Sequence, residues 1–134
     1  MKTLVVTAGL IRDGSQRVLL AKRSEGRFKG CWEFPGGKLE EDESPEDCLR
    51  RELREELGVE VTVEGIEEAV WMPYGEFNLL LLLYRCELKA GEPRPLGCDG
   101  VRWFRPEELE GLEMPPADVE VARRLRNRWA SAAG

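Results

Sequence analysis

The sequence predicts an α/β fold, an α/β/α sandwich in which a mixed β-sheet lies between helices. Strand-like and helical segments follow one another in the order β-β-β-α-β-β-β-α. Residues 60–71 and 76–88 form two long strands joined by a tight turn, so this pair is antiparallel. The 134 residues contain no repeat and no linker, and they are enough to bury the core of a single domain, residues 1–134.

The first part of the chain reads as three strands. Residues 2–11 are β-branched and small, which is typical of a strand buried on both faces. A turn signal at residues 13–15 precedes residues 17–23, which we expect to be the hairpin partner of the first strand. A polar loop at 24–30 leads to a short strand at 31–34 and then to a Pro-Gly-Gly sequence.

A helix with recognisable ends follows an acidic loop. Ser44 is expected to be its N-cap, and Pro45 fits the first turn, where a missing N–H costs nothing. Asp47 stands three residues after the N-cap as the acidic member of a capping pair. Gly58 is expected to end the helix as its C-terminal cap.

The helix has three distinct faces when it is wound at about 100° per residue. These faces are apolar (Leu49, Leu53 and Leu57), basic (Arg50, Arg51 and Arg54) and acidic (Glu52, Glu55 and Glu56). Like charges four residues apart destabilise a helix by about 0.2–0.5 kcal/mol per pair, so a positive group is expected beside the glutamates. Two candidates remain open: arginines one turn away, such as Arg51 with Glu55, or a hard divalent cation close to the glycine carbonyls.

The rest of the chain predicts one more strand and a last helix. A loop rich in Gly and Pro at 90–100 precedes a short strand at 101–104 and a single helical turn at 106–110. The last helix is expected to run from Asp118, its N-cap, to Trp129. Its apolar stripe is formed by residues 121, 122, 125 and 129.

Charge and composition exclude several classes of function. A net charge of −6 without a basic stripe argues against binding to a nucleic-acid polymer. The chain has no histidine, which rules out Ser-His-Asp and Cys-His catalysis and histidine-bound zinc. The four cysteines show no CxxC spacing, and without a secretory signal we expect reduced thiols in the cytoplasm. The longest apolar run is too short to cross a membrane.

The central segment resembles the signature of the Nudix hydrolases. Gly37 is followed after five residues by Glu43, and after seven more by the run RELREELGV at 51–59. Four further motifs resemble the MutT-like subgroup: VLLAKR at 18–23, CWEFPGGK at 31–38, GEP at 91–93 and PPAD at 115–118. The predicted order of elements is also that of the Nudix fold.

The resemblance implies a hydrolase that uses Mg²⁺ or Mn²⁺. Its metal ligands would be the carbonyl of Gly37 and the carboxylates of Glu52, Glu55 and Glu56, with Arg51 orienting the carboxylates. Glu52 is the first choice for the general base, and Glu55 and Glu56 are the alternatives. Oxygen ligands suit hard cations, so the chemistry of these residues agrees with the assignment.

By the same resemblance, other residues contact the substrate. Lys38 would contact phosphate, Arg23 would lie near the nucleotide, and Asp118 would meet the base edge. An ionised aspartate only accepts hydrogen bonds, so Asp118 favours an edge with two donors unless burial raises its pKa. Phe77 is a candidate for stacking on the base, as are Trp32, Phe34 and Trp71, although large aromatic residues usually belong to cores.

A loop glutamate found in some MutT-like relatives has no equivalent here. In those relatives it stands six residues before a tryptophan of the late strand. Trp103 matches that tryptophan, which places Gly97 at the position of the glutamate, with Asp99 two residues away. This departure from the pattern weakens the case for a base or ligand in this loop.

Three functions remain open at this level. The first is a nucleoside triphosphate pyrophosphohydrolase that sanitises the nucleotide pool and so serves DNA repair, acting on substrates such as 8-oxo-dGTP or CTP and dCTP. The second is an ADP-ribose or dinucleotide pyrophosphatase, for which Pro73 and Tyr74 beyond the signature are weak support. The third is a binding module without catalysis, which usually lacks an intact acidic signature. We expect no membrane partner, and a monomer or weak homodimer.

Overall fold

Seven strands and two α-helices make up residues 1–133, the part of the chain that this computed structural model describes. In chain order they are β1 (Thr3–Ile11), β2 (Val18–Lys22), β3 (Trp32–Glu33), β4 (Gly36–Lys38), α1 (Pro45–Leu57), β5 (Glu60–Pro73), β6 (Asn78–Ala90), β7 (Gly100–Phe104), a 3₁₀-helix (Pro106–Gly111) and α2 (Pro116–Ala133).

The strands form a mixed sheet and a smaller antiparallel sheet. The larger sheet has the order β4-β1-β6-β5, in which β1 and β6 are parallel and the other neighbours antiparallel. The smaller sheet has the order β3-β2-β7. The mixed sheet and the antiparallel pair β5–β6 are confirmed, whereas the second sheet was not foreseen.

The predicted hairpin between the first two strands is wrong. β1 and β2 share only an isolated bridge between Arg12 and Val18. Every side chain from Val18 to Ala21 is buried, and alternate residues face two different apolar clusters. β2 pairs instead with β3 on one edge and with β7 on the other.

Two strand boundaries also differ from the prediction. The Gly-Gly segment, which the sequence did not assign to an element, is a short strand, because Gly36, Gly37 and Lys38 pair with β1. β5 continues to Pro73 and β6 begins at Asn78, so the turn lies at 74–77. There the Tyr74 N–H donates to the Phe77 carbonyl at 2.9 Å.

Helix α1 is held by the ends and the apolar stripe that the sequence predicts. Ser44 Oγ accepts the N–H of Asp47, and Gly58 adopts a left-handed conformation at the C-terminal end. The Asp47 carboxylate binds Arg50 at 2.8 Å, so only the Ser44 half of the capping pair is seen. The three leucines of the stripe are fully buried, and each contributes about 1.5–3 kcal/mol by leaving water.

Helix α2 begins earlier than predicted, and Asp118 is not its N-cap. The helix starts at Pro116, and the Val119 N–H already donates to the Pro115 carbonyl. Asp118 therefore lies inside the first turn, where it is 6% exposed. Its carboxylate is directed to a partner outside the helix, as described below.

The larger sheet carries one apolar cluster on each face. α2 packs with the cluster that includes Leu20, Leu81 and Leu125, and α1 packs with the cluster that includes Leu19 and Leu53. The α/β/α arrangement is thereby confirmed.

The cysteines and the lengths of the helices complete the description of the fold. All four cysteines are free thiols. Within residues 1–133, no helix is long and apolar enough to span a membrane.

Candidate active site

A cleft of about 500 Å³ opens over β1 and β6, between the helix α1 and the loop that follows β2. This volume lies within the usual range for small-molecule sites. Most of the predicted site residues line it, namely Arg23, Gly37, Lys38, Glu52, Glu56, Phe77 and Asp118. Arg51 and Glu55 do not.

Arg51 is the centre of an ion-pair group at one end of the cleft. Its guanidinium binds Glu43 through two nitrogens, at 2.8 and 3.1 Å, and it also donates to Glu52 at 2.9 Å and to Glu55 at 3.2 Å. These hydrogen bonds lower the pKa of Glu43 to about 2. Arg51 thus holds the carboxylates of Glu43, Glu52 and Glu55 in one hydrogen-bonded group.

Glu55 lies away from the cleft. Its side chain is 63% exposed and bound to Arg51, one turn earlier in the helix. The pairing of Arg51 with Glu55 that the sequence left open is therefore present. A ligand role for Glu55 would require its exposed carboxylate to turn towards the cleft.

Glycine is needed at position 37 because the Glu52 carboxylate lies against it. A Cβ added to Gly37 would stand 2.2 Å from the Glu52 Cδ. β4 therefore presents its backbone to the carboxylate at a distance that no other residue permits.

Glu56 is a carboxylate in the cleft without an ion-pair partner among residues 1–133. Burial, followed by the charges of Glu33 and Glu52, raises its pKa to about 8. Glu33 pairs with Arg23 at 3.1 Å, and burial raises the pKa of Glu33 as well. Three carboxylates thus share one region of the cleft, and of these Glu33 and Glu52 are paired with arginines whereas Glu56 is not.

These donors fit a hard divalent cation by their chemistry and charge. Glu52, Glu56 and the Gly37 carbonyl offer oxygen atoms only, which are the ligands that Mg²⁺ and Mn²⁺ prefer. A cation beside them would offset the negative charge that raises the pKa of Glu56. Within the described chain, no three acidic or cysteine side chains already surround a common point. These oxygen atoms therefore form an acidic surface and not a preformed metal-binding site.

Asp118 lies deep in the cleft and is bound to the backbone of Phe34. Its Oδ1 accepts the Phe34 N–H at 3.0 Å. Burial, with a further contribution from the Glu33 charge, raises the pKa of Asp118 to about 8. Asp118 is therefore mainly protonated at neutral pH, so its carboxyl group can donate as well as accept.

Aromatic side chains form the opposite end of the cleft. Phe77 stacks on Tyr74 with ring centroids 5.2 Å apart, and Phe28 lies 5.9 Å from Tyr74. The Arg27 guanidinium stands over the rings of Phe28 and Tyr74 at 5.2 and 5.3 Å. Sequence reasoning identified Phe77 but missed Arg27 and Phe28, because their polar loop carries no motif.

The two ends of the cleft lie at different points along β1. Gly37 pairs with Thr7, and Asn78, next to Phe77, pairs with Thr3. Four residues of β1 span roughly 13 Å at about 3.3 Å per residue.

Several other candidates lie outside the cleft or only form its walls. Trp71 is 54% exposed and does not line the cleft, and Trp32 packs edge-on against Phe104 at 5.0 Å. Phe34 lines the cleft as part of the buried core. Gly97 is docked on α1, where its N–H donates to the Glu56 carbonyl at 3.0 Å, and Asp99 is exposed. The loop thus brings no carboxylate to the position of Gly97.

Comparison with known proteins gives a consistent set of relatives. The family model of the NUDIX domain matches residues 2–125. The chain is 54% identical over 123 residues to the CTP pyrophosphohydrolase of Escherichia coli, with 90% of each chain covered. It is 33% identical over 129 residues to the 8-oxo-dGTP diphosphatase of Haemophilus influenzae, with 94% of this chain and 93% of the relative covered.

Solved structures show the same fold. The solution structure of the E. coli ORF135 protein has a TM-score of 0.83 at 30% identity, covering 98% of this chain and 94% of that one. The crystal structure of a MutT protein from Methanosarcina mazei has a TM-score of 0.83 at 25% identity, covering 96% of each chain.

Proposed function

The chain belongs to the NUDIX domain family, and from this we propose that it is a nucleoside triphosphate pyrophosphohydrolase that requires a divalent cation. Its products are the nucleoside monophosphate and pyrophosphate. We assign residues 1–134 to a single domain, and the family match over residues 2–125 supports this. Four free cysteines support a reducing compartment such as the cytoplasm.

One observation carries the proposal: carboxylates and aromatic rings stand at opposite ends of one cleft. Glu52 and Glu56 lie beside Gly37 at one end, and Phe77 lies at the other end. The backbone positions that pair with Gly37 and with Asn78, the neighbour of Phe77, lie roughly 13 Å apart along β1. We assign the carboxylate end to the phosphates and the aromatic end to the nucleoside.

At the phosphate end, the oxygen atoms of Gly37, Glu52 and Glu56 would hold Mg²⁺ or Mn²⁺. When bound, the cation would neutralise phosphate charge and lower the pKa of a water molecule. Glu52 is our assignment for the general base, because it lines the cleft and Arg51 fixes its carboxylate. Lys38, exposed at the same end, is assigned to a phosphate contact.

At the nucleoside end, Phe77 provides a ring on which a base can stack, and Arg23 lies near the sugar or base. Asp118 is assigned to the base edge. Its protonated carboxyl group matches an edge on which a donor and an acceptor are adjacent. Cytosine offers its amino group beside N3, and guanine offers N1–H beside O6.

The protonation of Asp118 therefore bears on which nucleotide is preferred. An ionised carboxylate would accept only, and would favour the two donors of a guanine edge. The neutral form admits cytidine nucleotides as well as oxidised guanine nucleotides. The names of the two relatives, a CTP pyrophosphohydrolase and an 8-oxo-dGTP diphosphatase, support both.

A nucleotide panel with identified products tests the proposal. The purified protein is incubated with Mg²⁺ and CTP, dCTP, 8-oxo-dGTP, dGTP or ADP-ribose. Release of pyrophosphate and a monophosphate from at least one triphosphate is the expected result. Faster cleavage of ADP-ribose than of every triphosphate would instead establish the dinucleotide-type activity. Binding of a triphosphate without any cleavage would establish a binding module.

A further inference from the structure

Thr7 and Cys48 form a buried polar contact directly beneath the phosphate end of the cleft. Thr7 belongs to β1 and Cys48 to α1, and both are 0% exposed. Within residues 1–133, Thr7 and Asp118 are the only buried polar or charged residues. The contact lies where β1, α1 and β4 meet, next to the Gly37 carbonyl.

The Gly37 carbonyl already has one hydrogen-bond partner in the sheet. The Leu39 N–H donates to Val5, and the Gly9 N–H donates to Pro35. Bonded pairs recur every second residue of an antiparallel ladder, so Thr7 and Gly37, which stand midway between these pairs, are also a bonded pair. The Gly37 oxygen therefore has one lone pair left for a cation or another donor.

The Thr7 hydroxyl competes for that lone pair, but it also has a second acceptor. Its Oγ1 lies 3.4 Å from the Gly37 oxygen and 3.4 Å from the Cys48 Sγ. A hydroxyl has a single proton and can donate to only one of them at a time. The Cys48 thiol donates in turn to the Lys38 carbonyl at 3.4 Å. Its sulfur accepts a long hydrogen bond from Arg51 at 3.9 Å and has a second lone pair for the Thr7 hydroxyl.

We propose that Cys48 is a positioning residue that takes the Thr7 hydroxyl off the Gly37 carbonyl when a divalent cation binds there. This inference rests on the proposed function, because it takes Gly37 as a ligand. In the described chain every buried side-chain nitrogen or oxygen has a partner. The sulfur gives the Thr7 hydroxyl an acceptor when a cation occupies the Gly37 carbonyl. The hydroxyl is therefore paired both without the cation and with it.

Removal of the sulfur should weaken cation binding. In Cys48→Ala the Thr7 hydroxyl has only the Gly37 oxygen as acceptor. A cation that binds this oxygen must displace the hydroxyl, which leaves a buried donor unpaired. A penalty of that kind corresponds to about a tenfold weaker affinity for Mn²⁺. Thr7→Val removes the competing hydroxyl, so the double variant Thr7→Val/Cys48→Ala should recover wild-type affinity within about twofold.

The experiment measures Mn²⁺ affinity directly, by electron paramagnetic resonance of free Mn²⁺, without nucleotide. Wild type is compared with C48A, T7V, the double variant and Cys48→Ser, whose hydroxyl still accepts and donates. T7V and Cys48→Ser should stay within about twofold of wild type. Cys86→Ala is the matched control, because Cys86, like Cys48, is a buried thiol, and it hydrogen-bonds to the Tyr84 carbonyl instead of to the residues around Gly37.

Each outcome of the Mn²⁺ titrations supports or overturns the proposed role of Cys48. Recovery in the double variant supports the inference, because a loss caused by loosened packing would persist or grow. Wild-type affinity in C48A, or a double variant as weak as C48A, overturns it while leaving the proposed function intact. A wild-type protein that binds no Mn²⁺ and cleaves no triphosphate overturns both. If C48A fails to fold, Cys48→Val, which fills the space but cannot accept, replaces it with the same expectations.

Discussion

Substitution of Gly37 by alanine should separate catalysis from folding. The added Cβ would stand 2.2 Å from the Cδ of Glu52 and 2.3 Å from its Oε2. Both atoms belong to the end of a flexible side chain, so the carboxylate can move aside while the backbone stays in place. The fold should therefore tolerate Gly37→Ala, whereas the site should not.

The size of the effect follows from the distances. An ordinary contact between carbon atoms begins at about 3.5 Å, so the carboxyl group of Glu52 must retreat by more than about 1 Å. A misplacement of that size costs about 10²-fold in rate. We expect kcat/KM to fall about 10²-fold, and the free energy of unfolding to change by less than about 1 kcal/mol.

Gly36→Ala is the matched control. Its added Cβ would stand 2.0 Å from the Thr7 carbonyl oxygen and 2.7 Å from the Ala8 Cα, which are backbone atoms of β1. It should cost about 1–3 kcal/mol of stability or more, since the strand pairing itself must shift. Urea denaturation and steady-state kinetics of both variants make the comparison. A Gly37→Ala protein with wild-type kcat/KM would refute the assigned role of Glu52.

Three further predictions concern stability and substrate binding. Asp118→Asn should abolish the part of the pH dependence of stability that comes from Asp118. Burial raises the pKa of this carboxyl group in the folded state to about 8, from 3.8, so the wild-type protein should lose stability as the pH rises from 4 to 8. The loss should be at most about 5 kcal/mol in the free energy of unfolding. Urea denaturation that shows a constant difference between variant and wild type from pH 4 to 8 would disprove this. Phe77→Ala should raise KM for the triphosphate about tenfold with little change in kcat, whereas Trp71→Ala, away from the cleft, should leave both unchanged; equal kinetic effects would rule out stacking on Phe77. Leu53→Ala should lower the free energy of unfolding by about 2–5 kcal/mol in urea, and a loss below about 1 kcal/mol would contradict its place in the core.

Local signals allowed much of the fold to be predicted from the sequence. Ser44 and Gly58 mark the ends of α1 because capping depends on neighbouring residues. The leucine stripe and the antiparallel pair β5–β6 follow from periodicity and a turn. The position of β2 in a second sheet cannot be predicted from such local signals, because strand pairing depends on partners distant in sequence.

The site was predictable where a motif marks it and not elsewhere. Glu52, Glu56 and Gly37 come together in the cleft as the resemblance implies. Glu55 belongs to the same motif, yet its side chain is bound to Arg51, because the pairing in the folded helix depends on rotamers. Thr7 lies in an ordinary strand sequence, and only the folded chain places its hydroxyl beside Gly37.

The environment of Asp118 also depends on contacts that only the folded chain shows. The residue pattern predicts a helix cap, and the family resemblance implies a base-reading residue. The structure places it inside the helix because Pro116 begins the first turn. Its raised pKa arises from burial and from Glu33, which is distant in sequence.

Anomalous X-ray diffraction from crystals soaked in Mn²⁺ with a non-hydrolysable triphosphate tests the central claim most directly. We predict a Mn²⁺ peak bounded by the Gly37 carbonyl and the carboxylates of Glu52 and Glu56, in contact with the phosphate chain. Nucleotide density in the cleft without such a peak, or Mn²⁺ bound only elsewhere, would contradict the assignment of these oxygen atoms as the metal site.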